Sequence, residues 1–404
     1  MIPAVRAAYN AAFTEEKYQA FLADLNAAFN EGRRIVFRVA ETPLFVPAAL
    51  TGRLRQAVDE IVDVIVSPEL ARYSEGAVPA DLRVPGKEGH TQFLAIDFAI
   101  CQDEHGELTP QLIELQGFPS LFGYQVLLGE AYRRHFPVPD GLSHYFNGFD
   151  REGYLDLLRR TVVASEDPAH VVLLEVEPWA QATAVDFAMT EKYLGIRSVC
   201  VTQVEKEGRQ LFYQRDGKRT PIRRIYNRVI FDELVQRPDV MGRMQFSFQD
   251  DLDVKWAGHP NWFFRISKYL MPYLRSAFVP PSTLLSELKE LPADPGNYVL
   301  KPLYSFAGAG VKFHVTQHDL EAMPPLDRPN YLLQRKLRYE PALVTPDGDR
   351  VKAEIRMLLL WPEGDARPTL AINLARLSKG EMIGVKFNKD KTWVGGTVAF
   401  LEQG

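Results

Sequence analysis

The chain has 404 residues, 46% of them hydrophobic, which is more than one compact core usually holds and points to two or three packed domains. A formal net charge of -5 leaves no positive field to gather nucleic acid or an anionic membrane surface. Only two cysteines occur, Cys101 and Cys200, far apart in sequence, so a zinc ribbon and a disulfide scaffold are excluded.

In chain order, residues 1 to about 90 read mainly as helix. Leu54, Val58, Ile61, Val62 and Ile65 form a stripe of helical period in TGRLRQAVDEIVDVIV, which is the pattern of a core-facing helix. Two apolar runs follow, FLAIDFAI and PQLIELQGF, joined by QDEHGELT with Gly106 in the turn, the signature of a hairpin. A helix is expected over about 121 to 135. HVVLLEVE, ATAVDFAMTEKYLG and RSVCVTQV then make a β-α-β unit. Past HPNWFFRISKYLMPYL the chain is Pro-rich, and strands are expected at YVLKP, GVKFHV, NYLLQRKL, AEIRMLLLW and TLAINLARL. The expected class is α+β, divided as 1–150, a small α/β domain at 151–255, and 256–404. The amino terminus lacks a signal-peptide core and no run of about 18 apolar residues occurs, so a cytoplasmic protein with neither nucleic acid nor membrane as partner is expected.

Three patterns carry chemistry. In NYVLKPLYSFAGAGVKFHV a strand delivers Lys301 and Pro302 stops it. Small residues follow, among them Ser305, Gly308 and Gly310, whose backbone N–H groups can approach phosphate oxygens beside the lysine charge. The spacing fits neither a Walker loop nor a dinucleotide fingerprint, since both need a helix next. Asp97 and Glu114 sit in apolar strands, and Glu114 and Gln116 share a strand face. If the hairpin brings Asp97 alongside, three oxygen ligands converge on a hard site suited to Mg²⁺. Late in the chain Gln334 ends an apolar strand where its amide can read an adenine edge, Glu354 and Arg356 share one strand face, and Asn373 and Arg376 leave another strand. Arg224 and Arg228 are candidates to hold a carboxylate, although paired basic residues on a strand are usually solvated. No GxSxG elbow and no HExxH motif occur, which speaks against a serine hydrolase and a zinc protease. His259 and His314 read as structural.

Together AIDFA, IELQGFPSL, IRRIYNRVIFDEL, HPNWFFRISKYLMPYL and YVLKPLYSFAGAGV resemble the ATP-grasp superfamily, in the order of its circularly permuted, glutathionylspermidine synthetase-like branch. The resemblance implies a circularly permuted ATP-grasp fold with a pre-ATP-grasp-like α/β domain. It makes HPNWFFRISKYLMPYL a lysine-bearing helix before the Pro-rich turn, and places Lys268 and Lys301 on the phosphates of ATP, Gln334 near adenine, and Asp97, Glu114 and Gln116 on Mg²⁺. Gln116 replaces the branch's asparagine, and Ala95 stands where an arginine is usual. Arg356 or Arg376 would then stabilise the transferred phosphoryl group, and Arg228 and Ser120 would meet substrate. The implied activity is ligation of a small-molecule carboxylate to an amine through an acyl phosphate. Phosphoryl transfer to a hydroxyl and a nucleotide-binding regulatory role without turnover are the alternatives.

Overall fold

Strands from the early and the late parts of the chain interleave in the central antiparallel sheet of the computed structural model, which describes residues 1–29, 32–304, 310–380, 388 and 390–403. The order is Gly395–Thr397, Thr369–Ser378, Arg350–Leu360, Phe93–Gln102, Leu108–Gln116, and Leu343–Val344 also pairs with Arg350–Leu360. Phe93–Gln102 is buried along its length except at Gln102, which is why it reads as a continuous apolar run rather than an alternating one. With a period of two, Leu94, Ile96, Phe98 and Ile100 pack with the helix Ala48–Ile65, whose expected stripe is buried. Phe93 and Ala95 lie on the opposite face with the helix Tyr124–His135. Asp97 is next on that second face.

The α/β unit is a parallel sheet ordered Lys255–Ala257, Arg224–Asn227, Val171–Glu175, Arg197–Cys200, with helix Ala184–Leu194 as the crossover between the last two. An antiparallel sheet of Glu205–Glu207, Gln210–Arg215 and Lys218–Ile222 follows the crossover, which the sequence reading did not anticipate. A third unit joins Ser282–Leu284, Tyr331–Arg335 and Tyr298–Pro302 over a small core of Leu285, Leu300, Val315, Leu320 and Leu333. The mixture is α+β, as expected.

Three local expectations need correction. GVKFHV is not a strand: only an isolated bridge links Lys312 to Leu300. The helix expected in HPNWFFRISKYLMPYL is broken into Trp262–Arg265 and a 3-10 turn Lys268–Tyr273, because the Ser267 side chain caps the second piece and Pro272 lies inside it. The first 90 residues are helical as expected, but they also contribute the strand Leu44–Val46, paired in parallel with Ala399–Glu402.

Packing between the Tyr124–His135 helix and the Leu142–Ser143 edge depends on one absent side chain. A Cβ on Gly129 would lie 2.3 Å from Nε2 of His144, a buried imidazole whose pKa burial lowers to about 3. Gly129→Ala must therefore displace a packed ring, and a loss of about 1–3 kcal/mol is expected. A urea titration should show a lower midpoint with an unchanged slope.

Candidate active site

Strand register sets a row of charges across the second face of the central sheet. Arg376 is paired with Glu354, Arg356 with Asp97, Asp97 with Glu114, and Ala95 with Gln116. Asp97, only 1% exposed, accepts three charge-assisted bonds: from Arg356 Nε at 2.5 Å, Arg356 Nη2 at 2.6 Å and Arg376 Nη2 at 2.7 Å. Burial works against its charge, and Arg356 and Arg376 more than offset that, holding its pKa below the ordinary carboxylate value. Arg376 Nη2 also lies 3.0 Å from Glu354 Oε2, and Tyr339 donates its hydroxyl to Glu354 Oε1 at 2.5 Å. Burial raises the pKa of Glu354 despite Arg376. Arg356 Nη1 reaches Ser120 Oγ at 2.8 Å, which ties the row to the loop after the hairpin.

The late lysines meet this row at a bulge. Hairpin pairing shifts after Asp97, which faces Glu114, while Phe98 faces Leu112; Ile113 is the extra residue. Its carbonyl accepts from Lys301 Nζ at 2.9 Å across 188 residues of sequence. Burial lowers the pKa of Lys301 to about 8, with Glu114 the largest opposing influence. Lys268 Nζ lies 3.6 Å from Glu114 Oε2 and 3.4 Å from the Leu303 carbonyl. Gln334, also buried, donates to the Leu112 carbonyl at 3.2 Å. Lys268, Lys301, Gln334, Glu114 and Gln116 are thus brought together with Asp97, Arg356 and Arg376. A small cleft opens here, lined by Gln116, Phe263, Ser267, Lys268 and Tyr304 among others. Ser305 and Gly308 lie outside the described residues. Gly310 has φ +70, and a Cβ there would lie 2.9 Å from Pro302 Cγ, so only glycine suits that end of the loop.

The basic pair of the α/β unit is not solvated. Arg224, wholly buried, donates to the Thr161 and Val162 carbonyls and to Glu363. Arg228 holds the carbonyls of Pro119 and Ser120 and lies over Phe187 and Phe118. Its guanidinium thus steadies the loop that carries Ser120. Asn373 is structural, bonded to the backbone of His144 and Ala399. His259 is buried, and its Nδ1 accepts from Asn261 N. Two buried acids carry no role assigned from sequence. Glu354 was noticed only as a neighbour of Arg356. Glu175 ends a parallel strand, where burial raises its pKa to about 8 against the pull of Arg228. An acid closing the apolar run VVLLE was the available signal.

The set Asp97, Glu114 and Gln116 does not fit Mg²⁺ in this arrangement. Both oxygens of Asp97 are taken by guanidinium groups, and Gln116 turns its amide nitrogen to Glu114 Oε1 at 3.1 Å. Among the described residues no group of three or more His, Cys, Asp or Glu side chains is placed to hold a metal ion.

No family model and no curated protein matches the sequence. Among solved structures the chain is similar to a glutathione synthetase-like effector from Globodera pallida in its apo form. The TM-score is 0.59 over 96% of each chain, at 11% sequence identity. At that identity the likeness is one of fold: the chain is an α+β protein whose fold is similar to that of this effector.

Proposed function

We propose that the chain is an ATP-dependent ligase of ATP-grasp type that joins a carboxylate to an amine through an acyl phosphate. The observation that carries this reading is the meeting of Lys268 and Lys301 with the Ile113–Glu114 bulge beside Arg356 and Arg376. In the first step a carboxylate oxygen attacks the γ-phosphorus and ADP leaves. In the second an amine nitrogen attacks the acyl carbon, phosphate leaves, and the nitrogen gives up its proton. Lys268 and Lys301 hold the phosphates, and Gln334 lies where the adenine edge is read. Arg356 and Arg376 offset charge on the moving phosphoryl group and on the acyl-phosphate oxygen. Ser120, fixed by Arg228 and Arg356, orients the carboxylate.

A screen of pooled carboxylates and amines for ADP release tests the reading, with ADP and free phosphate expected in equal amounts. A phosphorylated product without free phosphate would instead make the chain a kinase. The closure of Asp97 by two guanidiniums favours one further reading, a nucleotide-binding regulatory protein, and ATP binding with no ADP release from any pool would select it.

A further inference from the structure

We infer that this chain binds the polyphosphate of its nucleotide without a divalent cation, its own guanidinium pair standing where the metal ligands would be needed. The inference rests on the proposed nucleotide site and deepens it. Asp97, only 1% exposed, already accepts three bonds from Arg356 and Arg376, so a metal at its carboxylate would compete with both guanidiniums. Gln116 is the third member of the set, and its amide donates to Glu114. Ala95, opposite Gln116, adds no oxygen.

The cations of the site supply the attraction a phosphate needs. Lys268, Lys301, Arg356 and Arg376 are four cations, set against the three acids Asp97, Glu114 and Glu354, a surplus of one positive charge among the described residues. The four cations attract a triphosphate, whose negative charge is larger than that surplus. Glu114 is the acid nearest the lysines, with Lys268 at 3.6 Å, so in a metal-free site its charge opposes the incoming phosphates.

The sign of the Glu114 effect therefore separates the two designs. The full-length chain is titrated with ATP by calorimetry, once in excess EDTA and once in excess magnesium. Affinities within about threefold of each other are expected, and Glu114→Gln should bind ATP in EDTA about three- to tenfold more tightly. ATP binding that weakens more than about tenfold in EDTA and returns with magnesium would overturn the inference while leaving the nucleotide site in place. A weaker rather than tighter Glu114→Gln variant, folded by its circular dichroism, would overturn it too. Should that variant not fold, the wild-type pair of titrations decides alone. No ATP binding in either condition would remove the nucleotide site itself and the inference with it.

Discussion

Asp97→Ala is expected to destabilise the protein by about 3–5 kcal/mol, the usual result of breaking a buried ion pair from one side. The carboxylate is 1% exposed and takes three bonds from two guanidiniums, so truncation removes the shared acceptor of the largely buried Arg356 and of the half-buried Arg376. A urea titration should show the loss as a lower midpoint. The pH dependence gives an independent check. Because the folded-state pKa lies below the ordinary 3.8, the stabilisation is fully present above that value and fades as the solution is acidified through the depressed pKa. The gap between wild type and variant should be constant near neutrality and shrink below about pH 4. If Asp97 were instead an acid crowded against Glu114 and awaiting a metal, its removal would relieve repulsion and stabilise the metal-free protein. A gain in stability would therefore refute the guanidinium clamp.

Lys301→Met should separate binding from stability. A charge-assisted bond to phosphate contributes about 1.5–3 kcal/mol, so ATP affinity is expected to fall about 10- to 100-fold. Folding should not suffer in proportion. The Lys301 ammonium is held where burial lowers its pKa to about 8, and a methionine of similar shape removes that desolvation, which offsets the lost bond to Ile113 and the lost attraction of Glu114. Fluorescence titration with a labelled ATP analogue and thermal melts of the same sample read the two effects. Since only the ammonium attracts phosphate, wild-type affinity should be highest below about pH 8 and decline as pH rises through it, and the variant should lack that step. Equal affinity in both proteins would remove Lys301 from the nucleotide site.

Much of this fold is written locally. The turn at Gly106, the stripe from Leu54 to Ile65 and the strand–helix–strand run from Val171 to Cys200 each follow a short-range period, and each was legible. GVKFHV was misread because alternation marks a half-buried edge, and burial there depends on a partner strand that covers only Lys312. The helix before the Pro-rich turn was misread because capping by Ser267 and an internal Pro272 override the apolar period. For the site, residue types were legible and partnerships were not. An acid in an apolar strand announces that it needs a partner, but whether a metal or an arginine answers depends on cross-strand register. Arg356 lies 259 residues from Asp97 in sequence, and no local pattern aligns the two. Arg224 and Arg228 show the same gap, since a basic pair looks alike whether it faces water or, as here, backbone carbonyls.

The interleaving of early and late strands dictates when this molecule can take shape during synthesis. Phe93–Gln102 has Arg350–Leu360 as its neighbour, and Leu44–Val46 has Ala399–Glu402, so the amino-terminal third must wait for nearly the whole polypeptide to leave the ribosome. The α/β sheet, built entirely from residues between Val171 and Ala257, carries no such dependence and is expected to form first. A nascent chain halted before residue 350 would hold that unit with its apolar hairpin still uncovered, which makes the waiting hairpin the natural place for a chaperone to act.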